Sequence, residues 1–340
     1  MPERDAIIVG QGLAGTTLAW CLLEAGMSVL VTDPEEEITS SKIAAGLITP
    51  ITGQRLALSW QVETFLPAAR IFYALLEQRT GEKFFHEREA VRIFYRDDER
   101  ERWEQKRLDP AFQRHLSDPQ PSPMLDPGLA EVSAGGFAMK TAQLDVAKFL
   151  AVSRRYFQER ASYERGAFDW TAPLPEARWI ISCEGYAAVR NPYFDWIPFK
   201  AAKGEILTVR FDRPLVPRSV HRGIWMAPTE DPAVYRVGST YDWEHLDQCP
   251  TMEARGELET KLRSFIKLPF AVENHEAAVR PIIQESKALL GLHPANERLG
   301  YFNGLGSKGS LHAPWFAACF RDYLVHGSPL PSGCDLRKNF

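Results

Sequence analysis

Gly10-Gln11-Gly12-Leu13-Ala14-Gly15 follows the apolar run Ala6 to Val9 and opens a helix-spaced apolar stretch from Leu13 to Ala25. Few short patterns constrain a chain more. A G-x-G-x-x-G run between a strand and a helix specifies a βαβ turn that receives a pyrophosphate. Gly10 permits the tight turn, Gly12 lets backbone approach the phosphates, and Gly15 lets the helix pack closely on the strand. The helix N-terminus, with unpaired N–H groups and the positive end of its dipole, then faces the anion. Gly26 stops the helix, Ser28 to Thr32 reads as a second strand, and Asp33 follows it with Pro34 behind. A carboxylate there accepts hydrogen bonds from both ribose hydroxyls, which predicts an unphosphorylated ribose, as in FAD or NAD. The motif does not choose between the two.

Composition narrows the class. A chain of 340 residues that is 45% hydrophobic can bury a large core in two domains or in one interrupted domain. Forty Lys and Arg against 44 Asp and Glu leave a net charge of −4, so charge gives no reason to expect nucleic acid or an anionic membrane as partner. No apolar run approaches the roughly 18 to 20 residues of a membrane span, and the N-terminus has no signal-peptide pattern. A soluble, cytoplasmic protein is expected. Five scattered cysteines without a CxxC pair predict free thiols, neither a disulfide framework nor a metal site.

Beyond the first unit, helix is expected from Leu56 to Gln78, strand from Glu89 to Arg96, and a solvated helix over the charged run to Arg107. The proline-rich stretch Asp118 to Pro127 reads as a connection. A helix from Leu144 to Glu159 and strands near Ser162 to Trp170 and Trp179 to Ser182 come next. From Lys203 to Thr240, "EILTVRF", "GIWMAP" and "AVYRVGST" read as antiparallel strands, followed by a helix from Met252 to Phe265. The glycine-rich "NGLGSKGS" then runs into a nearly all-apolar helix, Leu311 to Val325, which must be buried. The expected fold class is α/β (α+β overall): a discontinuous Rossmann-like nucleotide domain, residues 1–80, 142–202 and 278–340, carries a mainly antiparallel sheet domain, residues 81–141 and 203–277.

Ser40-Ser41-Lys42-Ile43-Ala44-Ala45-Gly46-Leu47-Ile48 resembles the small-residue loop that cradles the flavin in the D-amino-acid oxidase and glycine oxidase superfamily. "KGEILTV", "GIWMAPTEDPAVYRVGSTYDW", "AVRPIIQESKALLGLHP" and "GLGSKGSLHAP" are similar, in order, to that family's later segments. The last of these most resembles the oxidase module of the bifunctional enzymes that modify wobble uridine in tRNA. The resemblance implies FAD as cofactor, held by the turn and the Ser40 to Ile48 loop. Phe168, Cys183 and Gly185 are implied near the dinucleotide, and Gly304, Gly306, Ser307, Lys308 and Gly309 at the flavin. Charge chemistry supports the last loop independently: flavin reduction leaves negative charge at N1 and C2, which a helix N-terminus and a lysine stabilise. A solvent-facing loop residue is the competing reading of Lys308, and Cys183 reads as a small core residue rather than a reactive thiol.

The resemblance places a carboxylate-binding arginine at Arg280, whose guanidinium fork suits a carboxylate. Pairing with Glu276 or Glu285 is the competing reading. Trp225 falls where the family has an active-site aromatic, or it is core. Glycine oxidase carries a second arginine where this chain has Ser307, so a larger or N-substituted amine, its carboxylate on Arg280 alone or with Lys308, fits at least as well as a simple free amino acid. The implied reaction is hydride removal from the carbon next to an amine nitrogen, imine hydrolysis and flavin reoxidation by O2. A dehydrogenase using another acceptor on an amine or hydroxy acid, and a non-catalytic flavoprotein, are the alternatives. No histidine or carboxylate can be assigned from sequence as the base.

Overall fold

The computed structural model describes residues 4–53, 55–118, 120, 128–130, 135–283 and 287–339. β1 (Arg4–Val9), α1 (Leu13–Glu24) and β2 (Val29–Asp33) form the expected opening unit. β1 and β2 pair in parallel, with Ala6 opposite Val29. Gly26 takes φ 77°, a left-handed conformation that glycine adopts without strain, and the helix ends before it.

The short strands β3 (Leu47–Ile48), β4 (Ile51–Thr52) and β5 (Ala57–Leu58) precede α2 (Val62–Thr80). The helix expected from Leu56 therefore starts only at Val62. Residues Ala57 and Leu58 pair instead with Thr52 and Ile51 in a hairpin, and Gln61 sits at φ 45° before the helix. β6 (Phe85–Ile93), α3 (Asp97–Lys106), α4 (Pro110–Gln113) and β7 (Gly136–Leu144) follow. Most of the expected connection Asp118 to Pro127 lies outside the described residues.

α5 (Val146–Gln158) is capped by Asp145, whose side chain accepts from Lys148 N. β8 (Tyr163–Arg165) is shorter than the strand expected over Ser162 to Trp170. Among the described residues it pairs with β2 alone, and that partner ends at Asp33, so the ladder stops there. Phe168 and Trp170 turn their rings together instead, 4.6 Å apart. β9 (Ala177–Ser182) and the strands β10 (Ala202–Phe211), β11 (Ser219–Arg222), β12 (Ile224–Pro228) and β13 (Val234–Gly238) come next. α6 (Met252–Arg263), β14 (Phe270–Arg280), β15 (Leu289–His293), β16 (Asn296–Asn303), α7 (Gly309–His326) and α8 (Leu336–Asn339) complete the order.

Two sheets result. The first has the order β15-β16-β9-β1-β2-β8, parallel except for β15. One face is buried under α1, α2, α5 and α7 through Leu18, Trp20, Phe65, Phe149 and Phe316, and the other under Trp170, Phe194 and Leu336. Burial on both faces explains why β1 and β2 read as continuous apolar runs. The second sheet runs β14-β10-β13-β12-β11-β6-β7-β3, antiparallel except at β11–β6. Leu258 and Leu262 of α6 pack on Leu207, Val209 and Val237 of one face. The other face turns toward the nucleotide unit.

Candidate functional site

Between the two sheets lies a cavity of about 1140 Å³. Ordinary ligand pockets hold roughly 300 to 1,000 Å³, so this one has room for a dinucleotide and a second small molecule. Gly10, Gly12, Leu13 and Ala14 line it, and Asp33 and Pro34 continue the wall. The Gly12 N-cap supplies no side chain, so nothing from the cap residue itself stands between the first turn of α1 and an anion. Asp33 already accepts from the backbone N–H of Gln11 at 2.6 Å and of Glu35 at 2.7 Å, one on each oxygen. That fixes the carboxylate while each oxygen keeps a lone pair for ribose.

Gly15 lies outside the cavity. A Cβ on it would stand 1.9 Å from the carbonyl oxygen of Gly10, so its task is the close helix–turn contact expected of the third glycine. A Cβ on Gly10 would meet the carbonyl oxygen of Cys183 at 2.6 Å, and Gly10 itself holds φ 102°.

Ser40, Ser41, Ala44, Ala45, Gly46 and Leu47 reach the cavity. Ile48 does not: it is buried in the core, where β3 pairs with β7 at Ala142. Ser41 Oγ accepts from Leu13 N at 3.3 Å, which ties this loop to the first turn of α1. Phe168, Cys183 and Gly185 also line the cavity. Burial raises the Cys183 thiol well above its usual range, which suits an inert core residue. Of the last loop, Gly306, Ser307, Lys308 and Gly309 line the wall, while Gly304 packs on Ile283 behind it.

Strand register assembles the opposite wall. Across the second sheet, Arg92 lies beside His221, His221 beside Trp225, Trp225 beside Gly238, and Gly238 beside Ile206. All five reach the cavity. Trp225 packs over Gly238, where a Cβ would meet its ring at 2.8 Å, and against Ile43, Ile206 and Ala278. It is therefore both wall and core, and the two readings of it merge.

Arg280 projects from the end of β14 over Gly204, where any Cβ would lie 2.0 Å from Nη2. Its guanidinium donates to Ser239 Oγ at 2.6 Å and to the carbonyls of Lys203 and Thr240 at 3.3 Å. The ring of Tyr241 covers it at 4.2 Å. Glu276 pairs with Arg236 instead, and Glu285 lies outside the described residues. No carboxylate among the described residues pairs with Arg280, and burial holds its pKa below the usual arginine range. Its partners among the described residues are all neutral, and a buried cation so placed is suited to an anion.

Sequence reasoning missed Arg92, Gly204, His221, Gly238, Ser239 and Tyr241, because adjacency across strands, not along the chain, brings them together. It also missed Gln11, whose side chain bridges the Leu150 carbonyl and Arg154, and Glu184, which accepts from Trp170, Ser182 and Asn191. Among the described residues there is no cluster of His, Cys, Asp and Glu able to hold a metal, and no helix long and apolar enough to cross a membrane.

The sequence profile of the DAO family, FAD dependent oxidoreductase, matches residues 5–323. The chain belongs to this family. The family is FAD-dependent, and the residues present fit that cofactor: a helix N-terminus whose N-cap glycine brings no side chain, the Asp33 carboxylate near it and a glycine-lined wall. The chain is 24% identical to the tRNA 5-methylaminomethyl-2-thiouridine biosynthesis bifunctional protein MnmC of Magnetococcus marinus, over 98% of this chain and 58% of that protein. It thus spans little more than half of that relative. The fold is shared with glycine oxidase from Bacillus cereus (TM-score 0.80, 18% identity, 96% of each chain). Iminodiacetate oxidase from Chelativorans sp. BNC1 shares it too (TM-score 0.76, 18% identity, 96% of each chain).

Two properties of this FAD-dependent oxidoreductase follow from buried charge. Arg92 and Glu99 form an ion pair at 3.1 Å, with side chains 8% and 0% exposed. Arg92→Ala leaves Glu99 buried without its cation, so urea unfolding is expected to show a loss of about 3–5 kcal/mol. An Arg92→Met/Glu99→Met double variant is expected to regain most of it.

The second property concerns pH. Burial, with Arg92 adding repulsion, pushes His221 down to about 3. Burial and Lys308 together push His312 down to about 4. Unfolded chains protonate both below about pH 6.5, whereas the native protein resists, so their contribution is complete above 6.5 and is lost as pH falls toward 4. The melting temperature is expected to drop across that window. In a His221→Gln/His312→Gln variant the drop flattens, and an unchanged slope would contradict the assignment.

Proposed function

We propose that the protein oxidises an amino acid or N-substituted amino acid, removing a hydride from the carbon next to the nitrogen. The imine then hydrolyses, and O2 reoxidises the cofactor with formation of H2O2. Bound FAD supplies the hydride acceptor, N5 of its ring. The observation that carries this reading is Arg280, a guanidinium in the wall of the cavity that no carboxylate among the described residues pairs with.

In this reading residues 1–80, 142–202 and 278–340 bind FAD, and 81–141 with 203–277 bind substrate. The turn Gly10 to Gly15 and Asp33 with Pro34 hold pyrophosphate and ribose. The Ser40 to Ile48 loop, with Phe168, Cys183 and Gly185, encloses the rest. Arg280 takes the substrate carboxylate, and Trp225 walls the chamber so that water is excluded and the reacting carbon is held in place. Lys308, with Gly306, Ser307 and Gly309 beside it at the start of α7 and Gly304 supporting the loop from behind, answers the negative charge that gathers on the reduced cofactor. Ser307 offers no second guanidinium, which favours a substrate with a substituent on nitrogen over glycine. Iminodiacetate, named for one structural neighbour, is of that kind.

Anaerobic mixing with a panel of amino acids, N-substituted glycines and hydroxy acids tests the proposal. Bleaching of the flavin band by amines that carry a carboxylate is expected. A panel in which only hydroxy acids bleach it, or nothing does, refutes the amine reading. Admitting air then tests the acceptor: fast recovery of the band supports O2, and slow recovery assigns the electrons elsewhere.

A further inference from the structure

Hydride loss from a carbon beside nitrogen needs the nitrogen lone pair, so an ammonium substrate must first give up a proton. The carboxylates in the cavity wall are engaged or remote. Asp33 is held by two backbone N–H groups, Glu184 by three side chains, and Asp247 by Lys203 at 2.7 Å. Glu36 is exposed beside the ribose end. His221 binds protons too weakly to serve near neutrality.

Lys308 differs from all of these. It is the N-cap residue of α7 and stands half-buried in the wall. Its Nζ donates to Ser59 Oγ at 3.1 Å, while the Ser59 hydroxyl donates to the Thr49 carbonyl at 2.8 Å. The serine therefore only accepts from Lys308, and the rest of the amine nitrogen is uncommitted among the described residues. Two features oppose a permanent charge there: no carboxylate among the described residues pairs with it, and it sits at the positive end of a helix dipole. The groups around it are His312, one turn along α7 and itself held neutral, with Trp60 and Phe65 packed on that ring. No other charged side chain among the described residues acts on it, and burial lowers its pKa from the ordinary lysine value.

We propose that Lys308 is the base that takes the proton from the substrate ammonium, an inference that rests on the amine-oxidising reading above. The substrate N–H bond breaks and Lys308 Nζ becomes an ammonium. The nitrogen lone pair then forms the C=N bond as the neighbouring C–H pair leaves, as hydride, to FAD. Positive charge thus reaches Lys308 in the same turnover that puts negative charge on the cofactor, so one residue both accepts the proton and stabilises the product.

The test uses FAD-loaded protein with N-methylglycine and iminodiacetate as probes, following anaerobic bleaching against pH in wild type, Lys308→Met and Lys308→Arg. Both variants are expected to slow bleaching at pH 7 by about 10²-fold or more, the ordinary worth of a positioned base. Both are expected to recover as pH rises and the probe loses its proton in solution. Arginine decides the matter, because it keeps the charge but takes no proton. Wild-type rate and pH profile in Lys308→Arg overturn the base role while leaving amine oxidation intact, whereas absence of bleaching by any amine in wild type overturns the underlying reading. A readout free of turnover is the ¹³C NMR titration of reductively methylated lysines, with the Lys308 signal assigned by its loss in Lys308→Met. Titration below the other lysines is expected, and titration among them refutes the inference.

Discussion

Gly15→Val is expected to yield a protein that no longer retains FAD. A side chain at this position begins 1.9 Å from the Gly10 carbonyl oxygen and 3.1 Å from Ile8 Cγ2, so the clash is with backbone as well as with a core side chain. Neither can yield cheaply. Gly10 is itself fixed against the Cys183 carbonyl, and Ile8 is fully buried. The first turn of α1 must lift off the strand, and its N–H groups lose their aim at the pyrophosphate. The measurement is the ratio of flavin absorbance, at about 450 nm, to protein absorbance, with far-ultraviolet circular dichroism to register the fold. Gly26→Ala is the control: its φ of 77° is also left-handed, but nothing lies within 4 Å of a Cβ there. It is expected to lose some stability and keep its flavin. A fully yellow Gly15→Val protein would show that the turn does not set the phosphate site.

Arg280→Ala is expected to weaken binding of a carboxylate-bearing substrate by roughly 10²–10³-fold, equivalent to about 3–4 kcal/mol, the scale of removing one partner from a buried, hydrogen-bonded charge pair. Arg280→Lys is expected to recover little. A lysine has no planar fork, and its point charge cannot donate at once to Ser239, to the two carbonyls and to a ligand. The effect belongs in the substrate dissociation constant read from flavin bleaching, with flavin content unchanged, because Arg280 lies on the second sheet, away from the α1 turn. Amines without a carboxylate provide the internal comparison and are expected to respond far less. Equal weakening for both kinds of amine would mean that Arg280 shapes the cavity instead of holding an anion.

Much of the fold was legible in the chain because its signals are local. The glycine turn, the helical spacing to Ala25 and the carboxylate closing β2 depend on residues close in sequence. The α7 helix likewise had to be buried, since an all-apolar helix has no other stable setting. Local signals failed where a partner decided the outcome. Nothing in Ala57-Leu58 announces a hairpin with Ile51-Thr52, and β8 stops where β2 stops. Ile48 shares its loop's composition with residues that reach the cavity, yet its strand pairing turns it into the core.

The sequence by itself determined the strand-turn-helix unit at the start of the chain, whose geometry suits a dinucleotide, because the turn needs only glycines and a helix end at fixed spacing. Tertiary structure alone decided what faces that unit across the cavity. Arg280 could have been a surface ion pair. Register instead sets it over Gly204, gives it Ser239 and the Thr240 carbonyl, and leaves Glu276 to Arg236, so that no carboxylate among the described residues pairs with it. Lys308 could have been a solvated loop lysine, and packing of α7 against the turn after β5 placed it on Ser59 instead. Contacts between residues hundreds of positions apart are set by how sheets and helices bury their apolar faces, and no local pattern encodes which polar side chains that burial brings together.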